Sequence, residues 1–229
     1  MKRFLSYDPK LLIYGFLIVF FASYGQTFFI SLFNSEIRAF YNLSDGEFGL
    51  VYAISTLLSS FILISFAKLI DYIDLRFYSF IVSFGLLLAC IGMVILLNNI
   101  IFLFFVIFML RFFGQGAMTL AGETTMARYF GKDRGKALSV ATLGGMTGVM
   151  FLPYVSINLF KNLEMSQLWI YACFSIIFFI PFMFLALSDQ KIRHGKFDKT
   201  LLGDPLNIKL RTRYIIKDKK FYIYLPLSI

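Results

Sequence analysis

Charged residues, histidine and cysteine are scarce in this 229-residue sequence, and each shortage excludes a class of protein. Charged residues make up only 15% of the chain, whereas about a quarter of a soluble domain is charged. The two cysteines, Cys90 and Cys173, lie in apolar runs and are too few for a disulfide framework. There is a single histidine, His194, and the sequence has no Ser/His/Asp set and no nucleotide-binding loop. We therefore predict no enzymatic activity and no cofactor or metal site.

Apolar and aromatic residues dominate instead. The composition is 59% hydrophobic, with 30 Phe and 13 Tyr, and the mean hydropathy is +0.77. A water-soluble fold of this size could not bury so many large apolar side chains, so we expect an all-α membrane protein surrounded by a lipid bilayer. The net charge of +9 does not indicate nucleic-acid binding, because the basic residues cluster in the gaps between apolar runs.

Six stretches each hold about the 20 mostly apolar residues that a membrane-spanning helix needs. The predicted spans are 11–33, 48–66, 77–97, 100–126, 137–160 and 168–187. Turn-forming segments such as "NLSDGE" and "GKDRG" separate them, and the third and fourth spans are close enough to form a tight hairpin. We therefore expect residues 1–187 to fold as a six-helix transmembrane bundle.

Lysine and arginine lie almost entirely on one side of the predicted bundle. All but three of the 22 basic residues share a side with the N-terminus, and the exceptions are Arg38, Arg111 and Lys161. Positively charged loops face the cytoplasm, so we expect a cytoplasmic N-terminus in a bacterial inner membrane. The segment 188–220 then forms a cytoplasmic linker, either a connector on anionic lipid headgroups or a regulatory segment. Residues 221–229 rise only about 14 Å as a helix, which predicts the start of a seventh span in a longer protein.

Polar side chains are more frequent in the first, second, fourth and fifth spans than in the third and sixth. Polar groups at membrane depth need partners or water, so we expect those four spans to surround a polar interior, with the third and sixth outside and facing lipid. In the fifth span, Gly144 and Gly148 form a small-xxx-small pair, and Pro153 is expected to bend the helix. The pattern suits a helix that rocks and equally suits simple tight packing.

One arginine, Arg111, lies near the middle of the fourth span, where an unpaired cation costs at least about 2.5–3.5 kcal/mol. It must therefore face a cavity or a partner. Gln115 follows one turn later on the same face, and Gln26 and Thr27 lie at comparable depth in the first span. These four residues predict a substrate-binding patch in which the guanidinium holds a carboxylate through two parallel hydrogen bonds. The alternative is a structural arginine, tied to backbone carbonyls or to another part of the protein.

A glutamate on the same span, Glu123, follows Arg111 at a distance of about 18 Å along the helix axis. That distance places it near the cytoplasmic mouth of the predicted interior. It is a candidate carrier of a coupling proton, or else a partner of loop cations such as Arg128 or Lys132.

Three stretches, in this order and spacing, resemble motifs of the major facilitator superfamily. The loop "AKLIDYIDLR" at 67–76 resembles the motif G-x-L-x-D-x-x-G-R-R, and "LRFFGQGAMTL" at 110–120 resembles the fourth-helix motif. The stretch "ARYFGKDRGKALSVATLGGMTGVMFLP" at 127–153 resembles the R-Y-F-x-x-x-R-G-x-A loop and the glycine-rich fifth helix. In addition, "YGQTFFISLF" at 24–33 is similar to bacterial monocarboxylate and oxalate–formate carriers.

The resemblance implies one half of a twelve-helix fold, in which two six-helix halves rock about a midplane site. It implies that Arg111 lies in the central cavity. It also implies a cytoplasmic gate, made of Asp71, Arg76, Arg128 and Arg134. Ala67 and Asp74 stand where the loop motif usually has glycines.

The function that these features predict is secondary transport of a small organic anion, such as a monocarboxylate, by alternating access. Its partners would be the substrate, a coupling ion such as H⁺ or a counter-anion, the bilayer, and a C-terminal half that this sequence does not include. Multidrug or sugar efflux by the same fold and a non-transporting membrane receptor are the alternatives.

Overall fold

The computed structural model describes residues 7–161 and 163–188, apart from the side chain of Lys132, and this part of the chain is helical without a strand. Residues 189–220 of the predicted linker and the predicted start of a seventh span at 221–229 lie outside the described residues.

Six apolar helical elements make up the described bundle. They are α1 (Pro9–Gly25 and Thr27–Tyr41), α2 (Asp45–Asp71), α3 (Leu75–Ile95), α4 (Ile100–Tyr129), α5 (Arg134–Phe160) and α6 (Met165–Ala186). Five of them are individually long and apolar enough to cross a membrane, and the two parts of α1 meet that criterion together. The predicted all-α class with apolar, membrane-spanning helices is confirmed for the described residues.

α1 is not the single helix predicted over 11–33. It bends by 45° at Gln26, whose backbone is extended with φ −81° and ψ 153°. The N–H groups of Phe29 and Ile30 both donate to the Gln26 carbonyl at 3.1 Å and start a new helix there. The Gly25 carbonyl is thereby left outside the helical hydrogen-bond ladder and is open to another donor.

Polar side chains at the helix starts explain why several helices begin a little before the apolar runs. Asp8 accepts a backbone N–H of the first turn of α1 at 3.1 Å. Ser44 and Glu47 form a capping box that starts α2. Asp74, at one of the glycine positions of the loop motif, accepts a backbone N–H of α3 at 2.9 Å. Each contact satisfies a donor that a helix N-terminus would otherwise leave unpaired.

Glycines bring α5 against α1. A Cβ added to Gly144 would lie 2.0 Å from the Phe16 carbonyl oxygen, and one added to Gly148 would lie 2.1 Å from the Ser23 hydroxyl oxygen. The two backbones approach closely because these side chains are absent. The helix continues as one element of 27 residues through Pro153.

A second close crossing joins the break in α1 to α4. Here α4 contains a π-helical segment, Leu110–Met118, a rare local widening that occurs frequently at functional sites. A Cβ added to Gly25 would lie 2.1 Å from the Leu110 carbonyl oxygen and 2.7 Å from the Cα of Gly114. Only glycine allows the two backbones to meet at this point.

The third helix does not face lipid all round, and this expectation is wrong. Of the five helices that qualify singly as spans, α3 has the largest buried share, 61%. Tyr78, Val82 and Leu86 are fully buried, and the Ser79 hydroxyl hydrogen-bonds to that of Tyr14 at 2.6 Å. α3 packs between α6 and the π-helical segment of α4, whereas α2 has the smallest buried share, 11%.

Replacing Gly25 by alanine is expected to destabilise the bundle, because the new methyl group would meet backbone atoms of α4. The expected loss is about 2 kcal/mol or more, measured as a lower thermal-unfolding midpoint in detergent. Gly49→Ala on α2 is the matched control, because no atom of the described chain lies within 4 Å of the corresponding methyl position. Equal midpoints for the two variants would contradict the close crossing.

Candidate functional site

The guanidinium of Arg111 lies at the break in α1, and the residue is only 6% exposed. Nη1 donates to the Gly25 carbonyl at 3.2 Å and to the Thr27 hydroxyl at 3.1 Å. Nε donates to the Thr56 hydroxyl on α2 at 3.2 Å. The guanidinium carbon also lies 5.3 Å from the ring centroid of Tyr52, so one side chain connects α4 with both α1 and α2.

Neutral groups alone compensate this buried charge within the described residues. No carboxylate there lies within ion-pair distance of Arg111. The hydrogen bonds use Nε and Nη1, which leaves Nη2 without a carbonyl or carboxylate acceptor in the same part of the chain. Dipoles and an aromatic face stabilise a guanidinium but do not neutralise it, so Arg111 keeps its positive charge at this end of the cavity.

A cavity of about 280 Å³ borders the guanidinium between α2 and α4. Its polar lining consists of Thr56, Ser59 and Ser60 from α2 and Arg111, Gln115, Thr119 and Glu123 from α4. The four residues from α4 follow one another at intervals of four positions, so they form a stripe along one helix face. The stripe begins with a cation, continues with two neutral polar groups and ends with a carboxylate.

The predicted binding residues are only partly brought together. Arg111 and Gln115 share the cavity, and Thr27 bonds to Arg111 directly. Gln26 is not among the residues that line this cavity; its backbone makes the break in α1. Thr27 also accepts a hydrogen bond from the Tyr52 hydroxyl at 2.9 Å.

Glu123 lines the same cavity as Arg111. Within the part of the chain that the structure describes, it makes no ion pair. Arg128, one of the two partners considered for it, contacts Asp71 instead. The side chain of the other, Lys132, lies outside the described residues.

The lining of this cavity comes from α2 and α4, so the expected interior between α1, α2, α4 and α5 stays a prediction. Polar residues of α5 bond to their own backbone: Thr142 donates to the Leu138 carbonyl at 3.1 Å, and Thr147 to the Leu143 carbonyl at 2.7 Å. Threonine satisfies its hydroxyl in this way without needing a polar neighbour, so these two residues by themselves do not indicate a polar cavity at α5.

The second helix supplies site residues that the sequence reasoning did not single out. Thr56 and Ser60 follow Tyr52 at successive intervals of four residues, and Ser59 follows Thr56 by three. Residues with this spacing share one helix face. The periodicity was therefore a usable signal for a polar face on α2 opposite Arg111.

The predicted gate residues lie at the end of the bundle that carries the α2–α3 and α4–α5 loops. They do not form one cluster there. The Nη2 of Arg128 contacts the Oδ1 of Asp71 and joins α4 to the end of α2. Arg76 does not take part in this pair: its Nε donates to the Leu187 carbonyl at 2.6 Å, just after α6 ends. Arg134 is the exposed first residue of α5.

Comparison with known proteins agrees with these features. The sequence profile described as the Major Facilitator Superfamily matches residues 15–228, which is nearly the whole chain. No curated protein and no solved structure matches the chain. The helical bundle and the profile together establish an integral, multi-pass membrane protein with the fold of one half of such a carrier. The chain belongs to the Major Facilitator Superfamily, a superfamily of secondary transporters.

Proposed function

We propose that the protein transports a small organic anion of the monocarboxylate type by alternating access, with Arg111 as the residue that binds the anionic group. Membership of the superfamily indicates that the protein is a secondary transporter, without naming the substrate. The observation that favours an anion is the buried guanidinium of Arg111, which borders the cavity with only neutral partners among the described residues.

A carboxylate suits this site for two reasons. The remaining N–H groups of a guanidinium match the oxygen atoms of a carboxylate in charge and geometry. A polar cavity walled by apolar helices also weakens solvent screening, so the attraction exceeds that between exposed charges. A cationic cargo would meet the field of Arg111 unfavourably, which makes the multidrug alternative the less suitable one.

Arg111 has a structural role and can bind the anion as well. Nε and Nη1 hold α1 and α2 in place, while Nη2 is the group proposed to contact the anion. The cargo would then compensate a charge already positioned by the fold, which lowers the cost of ordering the site.

A second six-helix unit would complete the cavity and cover the exposed apolar faces of α2 and α5. Large exposed side chains on these faces include Leu57, Phe61, Met150 and Phe151. Rocking of the two units would open the cavity alternately to each side. The basic residues favour a cytoplasmic N-terminus in a bacterial inner membrane, and Glu123, without an ion pair among the described residues, is the candidate carrier of a coupling proton.

Arg111→Met is expected to abolish anion uptake, because it removes the guanidinium and keeps an apolar side chain of similar reach. The measurement is uptake of labelled monocarboxylate into vesicles containing the full-length protein, together with the thermal stabilisation that the anion gives. We expect at least a hundredfold lower uptake and no stabilisation by the anion. Arg38→Met, which removes a half-buried cation paired with Asp45 at 2.8 Å, is the matched control and should transport normally.

Unchanged uptake by a folded Arg111→Met protein would contradict the binding role. Transport of cationic dyes or of sugars, with no effect of carboxylates, would favour the efflux alternative. Binding without transport in the same vesicles would favour a receptor.

The contact between Asp71 and Arg128 is proposed to close the gate end of the bundle. Asp71→Asn and Arg128→Gln should each change the uptake rate, and the exchange Asp71→Arg with Arg128→Asp should restore part of it, because the pair is kept with its signs reversed. A double-mutant cycle should give a coupling energy of about 1 kcal/mol. The exposed pair Asp133 and Lys136 is the control, and Asp133→Asn should have little effect on uptake. If the effects of the Asp71 and Arg128 substitutions simply add, with no coupling energy, the proposed gate contact is contradicted.

A further inference from the structure

Two polar groups of α4 lack a hydrogen-bond partner in the described part of the chain. They are the amide oxygen of Gln115 and the hydroxyl of Thr119. Both atoms have almost no accessible surface, so neither water nor a cargo in the cavity reaches them. Buried polar groups nearly always have a partner, and leaving one without costs free energy. The explanation must therefore come from the local backbone of α4.

The missing partner of Thr119 is a backbone carbonyl inside the π-helical segment Leu110–Met118. Elsewhere in the bundle, the hydroxyls of Thr125 and Thr142 donate to the carbonyl four residues earlier, at 2.6 and 3.1 Å. The carbonyl four residues before Thr119 belongs to Gln115, and in a π-helix a carbonyl accepts from the fifth following residue instead of the fourth. Regular α-helical winding would return this acceptor to the Thr119 hydroxyl.

A change of winding would turn one part of α4 against the other. A π-helical turn contains one residue more than an α-helical turn, and each residue of an α-helix turns the chain by about 100°. Rewinding one turn of the segment therefore rotates the following helix, Thr119–Tyr129, by about 100° relative to the preceding one, Ile100–Met109.

The two sides of the π-helical segment are held differently. Near its start, the guanidinium of Arg111 bonds to α1 and α2, and a Cβ added to Gly114 would lie 2.6 Å from the Cα of Gly25. Beyond the segment, a Cβ added to Gly122 would meet a side-chain atom of Val19 at 2.5 Å. Side chains change rotamer where backbones in contact stay fixed, so the part after the segment is the one free to rotate.

We propose that α4 alternates between this π-helical winding and a regular α-helical winding during transport, which links the Arg111 cavity to the gate contact of Asp71 with Arg128. The inference rests on the proposed alternating access and on the proposed gate. Glu123, in the cavity lining, and Arg128 both lie on the part that rotates. The rotation moves Glu123 out of the lining and Arg128 away from Asp71. The π-helical winding therefore belongs to the state in which the gate contact is formed.

Deletion of Gly116 tests this link. It removes the additional residue of the π-helical segment and leaves the helix on either side in its present orientation, so only regular winding remains. The measurements are propionate affinity of the full-length protein, by titration calorimetry, and propionate uptake into vesicles. The affinity should stay within about threefold of the wild-type value, and uptake should fall at least about tenfold, because the step between the two windings is blocked. Wild-type uptake by the deletion variant overturns the inference.

Thr119→Val gives the same test without a deletion. It removes the hydroxyl that regular winding would satisfy, so it favours the π-helical winding. We expect a higher thermal-unfolding midpoint, an unchanged propionate affinity and an uptake rate at least about threefold lower. Thr142→Val is the matched control, because that hydroxyl is bonded within α5, and its uptake should stay normal. Wild-type uptake by Thr119→Val contradicts rewinding, whereas a wild-type protein that does not bind propionate contradicts the proposed anion transport.

A distance measurement tests rewinding without any cargo. Nitroxide labels on Lys68→Cys of α2 and Ala127→Cys of α4, both exposed positions, are compared by double electron–electron resonance in the full-length protein with Cys90 and Cys173 replaced by alanine. Both labels belong to one six-helix unit, so rocking of two units leaves their distance unchanged. Two distance populations are expected, and only one after deletion of Gly116. A single population in both proteins overturns the inference, whichever substrate is transported.

Discussion

A cation buried among membrane helices must be given acceptors, and in this protein the acceptors come from a break in α1. The Gly25 carbonyl, released from the helical ladder at Gln26, accepts from Arg111 at 3.2 Å. The same glycine lets α1 and α4 touch backbone to backbone. Break, crossing and arginine thus depend on one another: the bend supplies the acceptor, the glycine brings it within reach, and the arginine stabilises the bend.

The irregular backbone of α4 has a matching consequence on the opposite face. The π-helical segment that lies against Gly25 also precedes Thr119, whose hydroxyl and the Gln115 amide oxygen remain unpaired in the described structure. A π-helical segment persists where surrounding packing stabilises it, and such segments occur frequently at functional sites. Here the close crossing of Gly25 with Leu110 and Gly114 supplies the packing.

The sequence predicted the helices better than it predicted the site. Long apolar runs identify membrane helices because the bilayer sets their length, and Arg111 was conspicuous because so few charges occur at that depth. The break at Gln26 could not be foreseen, since no proline marks it and glutamine tolerates an extended backbone. The contact of Arg76 with the Leu187 carbonyl depends on where α6 ends relative to α3, which is a matter of tertiary packing. Polar content misplaced α3, because a helix with few polar groups can pack against other helices as well as face lipid.

Transport through the polar cavity between α2 and α4 that borders Arg111 requires that water reach the residues of its lining. The most direct test of this requirement is labelling of Ser60→Cys, which lies in the cavity lining, by a membrane-impermeant thiol reagent in a protein whose Cys90 and Cys173 are replaced by alanine. The account predicts rapid labelling that a carboxylate slows, while Phe178→Cys on the exposed apolar face of α6 stays unlabelled. Equal resistance of the two positions to the aqueous reagent would contradict it.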